Sequence, residues 1–293
     1  MFTHYDLDGV GCYLLAKIAF KERIINVFAS GYKKTTKNFH IAVNKYKPEN
    51  VVFLITDLFL TQEDVNILKP FKAVYLDHHP EVEPIEYPEH WIVNRNLEKC
   101  ATTLVWERYK DKLPKIEMLE KFVKAVETYD LWKPELKNDK YALSLNALFW
   151  KKGFWNFVDY MFENKFKIKA EDYKLFDEKL KFIEKVINEK LYIAEGDVAI
   201  FDEREIDYPM EITLFMPENF KHFVFLKPNN KVSFRSKTKN LDEFFKGLDG
   251  LKDKRIISVG GHSYAGGFEG INDEICEKAI YAFIQYVSGD SNE

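Results

Sequence analysis

Two apolar runs in the first part of the chain each end in ionisable side chains. One covers residues 51–57 and ends in an aspartate; the other covers residues 73–79 and ends in Asp-His-His. Continuous apolar runs of this length are typical of strands buried inside a parallel sheet. Predicted helices alternate with these strands. The pattern therefore predicts an α/β fold with a doubly wound parallel sheet.

Ionisable side chains collect where the predicted strands end. Further strands are predicted at residues 24–29 and 91–94, and helices at residues 12–20, 61–68, 101–110 and 116–129. In such sheets, ligands bind beyond the carboxyl ends of the strands. The side chains at these ends are Asp6, Asp8, Asp57, Asp77, His78 and His79. Helix capping would explain any one of these acids, but it explains neither the whole set nor the adjacent histidines.

The segment around His4 offers three hard ligands in six residues. His4, Asp6 and Asp8 alternate along a predicted strand end, so we expect them to share one face. Gly9 and Gly11 follow, where we expect the backbone to turn into a helix. Such a group fits a divalent metal site. On its own, the pattern fits a polar strand end with an Asx turn equally well.

The second half of the chain predicts a helical connection and another α/β unit. Residues 154–191 carry a helical apolar stripe; strands are predicted at residues 198–201, 211–215, 222–226, 231–234 and 256–259, and helices at residues 241–248 and 275–287. We therefore predict a catalytic domain at residues 1–153, a helical linker at residues 154–195 and a smaller α/β domain at residues 196–293. The last residues, 288–293, are expected to fray.

Composition limits the range of partners. The net charge of −4 argues against non-specific binding of long duplex DNA. Cys12, Cys100 and Cys276 form no CxxC pair, which indicates reduced thiols and no zinc ribbon. There is no apolar run of membrane-spanning length and no signal segment, so we expect a soluble, cytoplasmic protein without membrane contact.

Five motifs together resemble a known family. His4-x-Asp6-x-Asp8, Asp57 after a strand, Asp77-His78-His79 and Asp130 resemble the four motifs of the DHH phosphoesterase superfamily. Residues 260–267 resemble the glycine-rich signature of its DHHA1 domain, and residues 232–236 resemble the strand that often precedes it. The motifs occur in the family's order. Two features depart from the pattern: only three residues precede His4, and Val259 and Gly266 replace commoner small residues.

The resemblance implies a role for each matched residue. His4 and Asp6 would hold one divalent cation, with Asp8, His78 and Asp130 holding a second and Asp57 bridging the two. Manganese is the family's usual metal. Asp77 would orient its neighbours and His79 would face the phosphate, as a donor or general acid. The residues expected to grip the substrate are Arg235, Ser236, Gly260, Gly261 and His262.

The candidate substrate-binding residues of the second domain could instead have ordinary structural roles. An isolated histidine in an apolar stretch is usually a core residue, but the glycines around His262 favour a binding loop. Arg235 could be an exposed strand residue. The lysines near it could attract a polyanion or could simply be solvated; they are Lys227, Lys231, Lys237 and Lys239.

The resemblance implies a metal-dependent phosphodiesterase of the oligoribonuclease, or nanoRNase, branch. It would hydrolyse short single-stranded oligonucleotides or linear dinucleotides to nucleoside monophosphates by a two-metal mechanism. Three alternatives stay open: a hydrolase of cyclic dinucleotides or of 3′-phosphoadenosine phosphate, a long-strand exonuclease, which the acidic balance opposes, and a nucleotide sensor without catalysis. The oligomeric state, including a homodimer, is left open.

Overall fold

The computed structural model describes residues 1–81, 84–250, 256–262 and 264–289; at positions 249, 250, 258 and 260–262 it describes the backbone alone. The chain divides into two compact units, Met1–Asp177 and Glu178–Glu293. Within the described ranges, no helix combines the length and the apolar character needed to cross a membrane.

The first unit is built on a five-stranded parallel sheet. Its strands are β1 (Phe2–Thr3), β2 (Phe28–Ala29), β3 (Val52–Thr56), β4 (Lys72–Asp77) and β5 (Ile92–Arg95), in the order β2-β1-β3-β4-β5. All neighbouring strands in this sheet run parallel. Their carboxyl ends therefore meet at one edge, which confirms the predicted fold class.

The described residues between 1 and 163 also form seven α-helices. They are α1 (Leu7–Phe20), α2 (Thr35–Lys45), α3 (Gln62–Leu68), α4 (Ala101–Tyr109), α5 (Glu117–Asp130), α6 (Lys140–Lys152) and α7 (Phe154–Glu163). Thr61 caps α3 through a capping box with Asp64, as its sequence predicts. A core of buried aromatic and aliphatic side chains, including Phe2, Phe39 and Phe53, packs around the strands. Helix α1 packs against α4 and α5, so the first and last motif segments of this unit are brought together.

The second unit contains a six-stranded mixed sheet. Helix α8 (Tyr173–Asn188) leads into it, followed by β6 (Ile193–Glu195), β7 (Val198–Asp202), α9 (Ile212–Phe215), β8 (His222–Lys227), β9 (Lys231–Ser236), α10 (Asp242–Gly250), β10 (Ile256–His262), β11 (Ala265–Gly270) and α11 (Asp273–Ser288). The strand order is β10-β11-β9-β8-β7-β6, and among the described strands of this second sheet only β7 and β8 pair in parallel. The predicted domain boundaries stay a prediction.

Three predicted elements differ from the structure. The predicted strand at residues 211–215 is instead helix α9 with Glu211 as its N-cap, since turn hydrogen bonds such as Leu214 N–H to Glu211 O close this segment locally. The helical stretch 154–191 is interrupted at Lys165 and Phe166, which both have positive φ. Phe166 is buried against Phe122, and this tertiary contact fixes the break. The predicted strand 24–29 shrinks to β2. Residues 290–293, most of the expected frayed tail, lie outside the described residues.

Candidate metal centre

The first motif lies at the start of helix α1, not along a strand. β1 ends at Thr3, and Asp6 is the N-cap of α1, with its Oδ1 accepting a hydrogen bond from Gly9 N–H at 2.8 Å. The expected alternation along a strand end is therefore wrong. The capping bond satisfies a free amide of the helix, which makes the helix start favourable at this position. His4 Nδ1 lies 2.6 Å from Asp6 Oδ2, so these two side chains still share one face.

Asp8 joins α1 to α4. It lies in the first turn of α1 and is almost fully buried. Its two carboxylate oxygens accept hydrogen bonds from Ala101 N–H at 2.7 Å and Thr102 N–H at 2.8 Å, at the start of α4. The positive end of a helix stabilises a buried carboxylate. These two hydrogen bonds fix the direction of the Asp8 carboxylate.

The motif glycines allow α1 to pack closely against the His4 backbone and against α4. A Cβ on Gly9 would lie 2.1 Å from the His4 carbonyl oxygen, and a Cβ on Gly11 would lie 2.3 Å from Thr102 Oγ1. Any side chain at either position would force the backbone or α4 to move. The expected sharp turn is absent, because both glycines lie inside α1.

Asp57 follows β3 in a strained backbone conformation. Its φ is 54°, which is uncommon for a non-glycine residue, and its amide donates to Leu76 O at 3.1 Å. The side chain is buried, and no hydrogen-bond partner for its Oδ2 occurs among the described residues. Strain and an unsatisfied carboxylate oxygen in one residue indicate a functional position.

His78 points its Nε2 into a group of carboxylates. This atom lies 3.3 Å from Asp130 Oδ2, 3.5 Å from Asp57 Oδ1 and 3.8 Å from Asp8 Oδ2. Asp130 is the last residue of α5. Within the described part of the chain, His78 Nε2 and Asp130 Oδ2 also lack a hydrogen-bond partner although both atoms are buried.

These side chains form groups that can hold metal ions. Ligand atoms lie within 4.8 Å of one another in three sets: His4, Asp6 and Asp57; Asp8, His78 and Asp130; and Asp57, His78 and His79. The first two sets match the ligands implied by the motif resemblance, and Asp57 also belongs to the third. Oxygen and imidazole donors suit Mn²⁺ and similar divalent cations. The buried atoms without partners are what such cations would bind, so the residues present fit them.

Burial and mutual repulsion together shift the pKa values of the cluster. Burial, followed by the charges of Asp6 and Asp8, raises the pKa of Asp57 well above its ordinary value. Burial and the charges of Asp8 and Asp6 likewise raise the pKa of Asp130. Burial also opposes ionisation of Asp6, but the hydrogen bond and charge of His4 outweigh it and lower the pKa of Asp6 to about 2. Without bound cations, simultaneous ionisation of all these carboxylates is therefore unfavourable.

Asp77 orients the ring of His79 through a hydrogen bond. The Asp77 side chain is fully buried; Oδ1 lies 2.8 Å from His79 Nδ1, and Oδ2 accepts from the Tyr75 hydroxyl at 2.9 Å. Burial opposes ionisation of Asp77, but the hydrogen bond and charge of His79 lower its pKa. Arg95 donates to the His79 carbonyl and pairs with Glu81, which ties the Asp-His-His segment to the end of β5.

Tyr32 is a site residue that no sequence motif indicates. It begins the short 3-10 turn between β2 and α2. Its hydroxyl lies 2.8 Å from His79 Nε2, and its ring stacks on His4 with centroids 4.5 Å apart. Burial and the charges of Asp57 and Asp6 raise its pKa, so the phenol keeps its proton. Only the position of this loop after a strand end could have signalled Tyr32 in advance.

The predicted substrate-binding residues lie in the second unit. Arg235 is on β9, opposite Ala265 of β11, and its Nε donates to Met210 Sδ at 2.8 Å. The Ser236 hydroxyl oxygen accepts from Thr238 N–H and Lys239 N–H, so it closes the turn after β9. Gly260, Gly261 and His262 lie on β10, paired with β11 as a hairpin, and their side chains are outside the described part. The binding loop expected at 260–262 is therefore a strand, although substrate binding by these residues stays a prediction.

Two curated proteins resemble part of this chain. Oligoribonuclease NrnB of Bacillus subtilis is 27% identical over 162 residues, which is 51% of this chain and 40% of that protein. A 3′,5′-cyclic-nucleotide phosphodiesterase of Helicobacter pylori is 27% identical over 150 residues, 44% of this chain and 42% of its own. The chain thus spans about two fifths of the length of these relatives. No family model matches the sequence.

Solved structures resemble nearly the whole chain. The DHH domain of a member of a family of ribosomal proteins matches with a TM-score of 0.70 and 15% identity, over 98% of this chain and 85% of that one. This is a DHH fold. The pGpG-specific phosphodiesterase PggH of Vibrio cholerae matches with a TM-score of 0.59 and 15% identity over 99% of both chains. RecJ of Thermus thermophilus in complex with Mn²⁺ matches with a TM-score of 0.58 and 13% identity, over 98% of this chain and 51% of RecJ.

Together, the relatives and the fold confirm that the chain resembles DHH-family phosphoesterases such as nanoRNases, as its motifs indicate. The cluster of acidic and histidine side chains in the first unit has the donor atoms that a divalent metal site needs.

Proposed function

We propose that this chain is a metal-dependent phosphodiesterase that hydrolyses short oligonucleotides or linear dinucleotides to nucleoside monophosphates. The observation that carries the proposal is the set of buried, unpartnered atoms Asp57 Oδ2, His78 Nε2 and Asp130 Oδ2, found among the described residues at the carboxyl edge of the sheet. Unsatisfied buried polar atoms are costly, so three of them on neighbouring side chains call for a bound cation. The similarity to an oligoribonuclease supports the substrate class.

The ligand sets divide between two cations. His4, Asp6 and Asp57 would hold one, and Asp8, His78 and Asp130 would hold the other, with Asp57 shared. Bound divalent cations would supply Lewis acidity and lower the pKa of a water that attacks phosphorus. We propose manganese as the metal; RecJ, which shares this fold, has been solved with Mn²⁺.

The remaining side chains bind and orient. Asp77 fixes the ring of His79 through Nδ1, so His79 presents a defined edge beside the ligand sets. Arg235 and His262 of the second unit would contact a part of the substrate remote from the reacting phosphate. An arginine offers a two-pronged donor to phosphate, and glycine-rich backbone such as Gly260-Gly261 allows close approach. Ser236 would assist through its hydroxyl hydrogen, since the oxygen accepts two amide hydrogen bonds.

A second candidate is the hydrolysis of cyclic nucleotides or signalling dinucleotides at the same centre. It is favoured by the similarity to a cyclic-nucleotide phosphodiesterase and by the fold shared with a pGpG-specific phosphodiesterase. Both candidates use the same phosphodiester chemistry, so the metal centre does not separate them.

One panel of substrates tests both candidates. Linear di- to decanucleotides, cyclic dinucleotides and 3′-phosphoadenosine phosphate are incubated with the purified chain in EDTA and in Mn²⁺, and products are separated by chromatography. We expect mononucleotides from the shortest linear substrates in Mn²⁺ only, and none from Asp57→Ala. Faster turnover of cyclic dinucleotides would favour the second candidate. Binding of nucleotides without any turnover would leave a sensor, and cleavage in EDTA would contradict the metal centre.

A further inference from the structure

One stretch of the first unit carries positive charge without any acid. Residues 23–48 contain six basic side chains and no aspartate or glutamate, in a chain whose net charge is −4. The basic side chains are Arg23, Lys33, Lys34, Lys37, Lys45 and Lys47. Lys33, Lys34 and Lys37 lie close together where β2 connects to α2, and all three are exposed. A concentration of positive charge on a surface raises the local concentration of anions.

The turn that carries these lysines lies against the candidate metal centre. Tyr32 and Lys34 are the two ends of the short 3-10 turn that precedes α2. The Tyr32 ring stacks on His4 with centroids 4.5 Å apart, and its hydroxyl oxygen lies 2.8 Å from His79 Nε2. Lys34 is therefore two residues from a side chain that touches the ligand set, and Lys37 follows about one helical turn later.

Hydrogen bonds on both sides of the turn hold it in place. Before the turn, Ser30 N–H donates to Thr3 O at 3.1 Å. After it, the Thr36 hydroxyl donates to Asp64 Oδ1 at 2.7 Å, and Asp64 is a buried residue of α3. The backbone that carries the lysines is thus fixed relative to β1, which leads directly into His4.

The charge of these lysines is not neutralised by the protein. No carboxylate lies within ion-pair distance of Lys34 or Lys37 in the part of the chain that the structure describes. In the second unit, by contrast, Lys227 pairs with Glu203, and Lys237 lies over an aromatic ring. Lys34 and Lys37 are therefore available to an anion that approaches the metal centre.

We propose that Lys34 and Lys37 form a subsite for a second phosphate group of the substrate, next to the phosphate that is cleaved. This inference rests on the proposed phosphodiesterase function. Bound cations would neutralise the reacting phosphate, but the carboxylates around them would still repel a further one, so a second phosphate needs positive charge of its own. An ammonium group on a flexible stem suits a phosphate that has to be held but not oriented for reaction.

The test compares three dinucleotides in the Mn²⁺ assay: ApA, which carries the scissile phosphate alone, and pApA and ApAp, which carry a second phosphate at the 5′ or the 3′ end. We expect the wild type to favour at least one phosphorylated form over ApA in kcat/KM by about 3- to 30-fold at low salt, the value of two exposed ion pairs. The preference should shrink as the salt concentration rises, because salt screens exposed charges.

The double variant Lys34→Gln/Lys37→Gln should lose this preference and cleave ApA within about twofold of the wild type. Lys45→Gln/Lys47→Gln is the matched control. It removes the same charge from the other end of α2 and should keep the wild-type preference.

Three results would overturn the inference. One is equal kcat/KM for all three dinucleotides in the wild type. Another is an equal loss on ApA and on the phosphorylated forms in Lys34→Gln/Lys37→Gln, which would make the lysines a support for the turn. The third is the same loss of preference in the control variant, which would show a general effect of charge and no subsite.

Failure of the proposed function would be recognised separately. If no dinucleotide is cleaved in Mn²⁺, the phosphodiesterase proposal fails, and calorimetric titration of pApA and ApAp into the wild type and Lys34→Gln/Lys37→Gln then tests the subsite. At least threefold weaker binding of one of them to the variant would support the subsite, and equal affinity of the two proteins for both would refute it.

Discussion

Replacing Asp57 with asparagine should separate the stability of the metal-free protein from its metal binding. The change keeps the size of the side chain and removes one negative charge from the group that includes Asp6, Asp8 and Asp130. Asp57 is 1% exposed, and burial together with those carboxylates raises its pKa. We therefore expect metal-free Asp57→Asn to be more stable than the wild type at pH 8, because the folded wild type must either ionise Asp57 among other carboxylates or retain a proton that the unfolded chain has released.

The size of the effect follows from the pKa difference between the folded and unfolded chain. Each pKa unit of this difference lowers the free energy of unfolding of the wild type by about 1.4 kcal/mol once the pH exceeds the pKa of the folded state. A gain of about 1–3 kcal/mol corresponds to a melting temperature higher by about 2–10 °C for a unit of this length. Since the folded pKa is raised, the wild type is relieved of this cost below the unfolded pKa and bears it increasingly as the pH rises. The difference between the two proteins should therefore vanish near pH 4 and grow toward pH 8.

Mn²⁺ should reverse the order of the two proteins. A cation that binds only the folded wild type adds about 2.7 kcal/mol at a hundredfold excess over Kd. Asp57→Asn lacks the shared ligand and should gain much less. The measurement is thermal unfolding followed by circular dichroism, in EDTA and in Mn²⁺, across this pH range.

Asp64→Asn is the matched control for this experiment. Asp64 is also buried, but it accepts hydrogen bonds from Thr61 and Thr36 around the start of α3. Its replacement should cost about 1 kcal/mol in both conditions and leave the Mn²⁺ gain unchanged. A metal-free Asp57→Asn less stable than the wild type at pH 8 would refute the repulsion argument. A full Mn²⁺ gain in Asp57→Asn would refute its role as a shared ligand.

Two further predictions concern packing and substrate binding. Gly9→Ala should cost roughly 2 kcal/mol or more of unfolding free energy, since its Cβ would meet the His4 carbonyl at 2.1 Å, whereas Gly31→Ala, with no atom within 4 Å, should change it by less than about 1 kcal/mol; denaturant unfolding measures both. Arg235→Ala and His262→Ala should raise KM for dinucleotides by a factor that corresponds to a loss of about 1–3 kcal/mol in binding free energy. A small chromogenic phosphodiester should still be cleaved at nearly the wild-type rate, and an equal loss on both substrates would show that these residues take part in the chemical step.

Local sequence determined the elements whose stabilising contacts are close in the chain. The apolar runs before Asp57 and Asp77 became β3 and β4, since a strand buried on both faces needs apolar residues throughout. Thr61 and Asp64 cap α3 through bonds that span three residues. The sequence also predicts the types of ligand side chain, because several carboxylate and imidazole side chains at the ends of parallel strands are typical of a ligand-binding site.

Tertiary structure decided how the ligands are held. Asp8 was expected on a strand, yet it lies inside α1, and the amides of Ala101 and Thr102, more than ninety residues away, donate hydrogen bonds to its carboxylate. Tyr32 became part of the site only because its loop reaches His79 across 47 residues. Periodicity and propensity report contacts within a few residues, whereas these hydrogen bonds join segments that only the packed sheet and helices bring together.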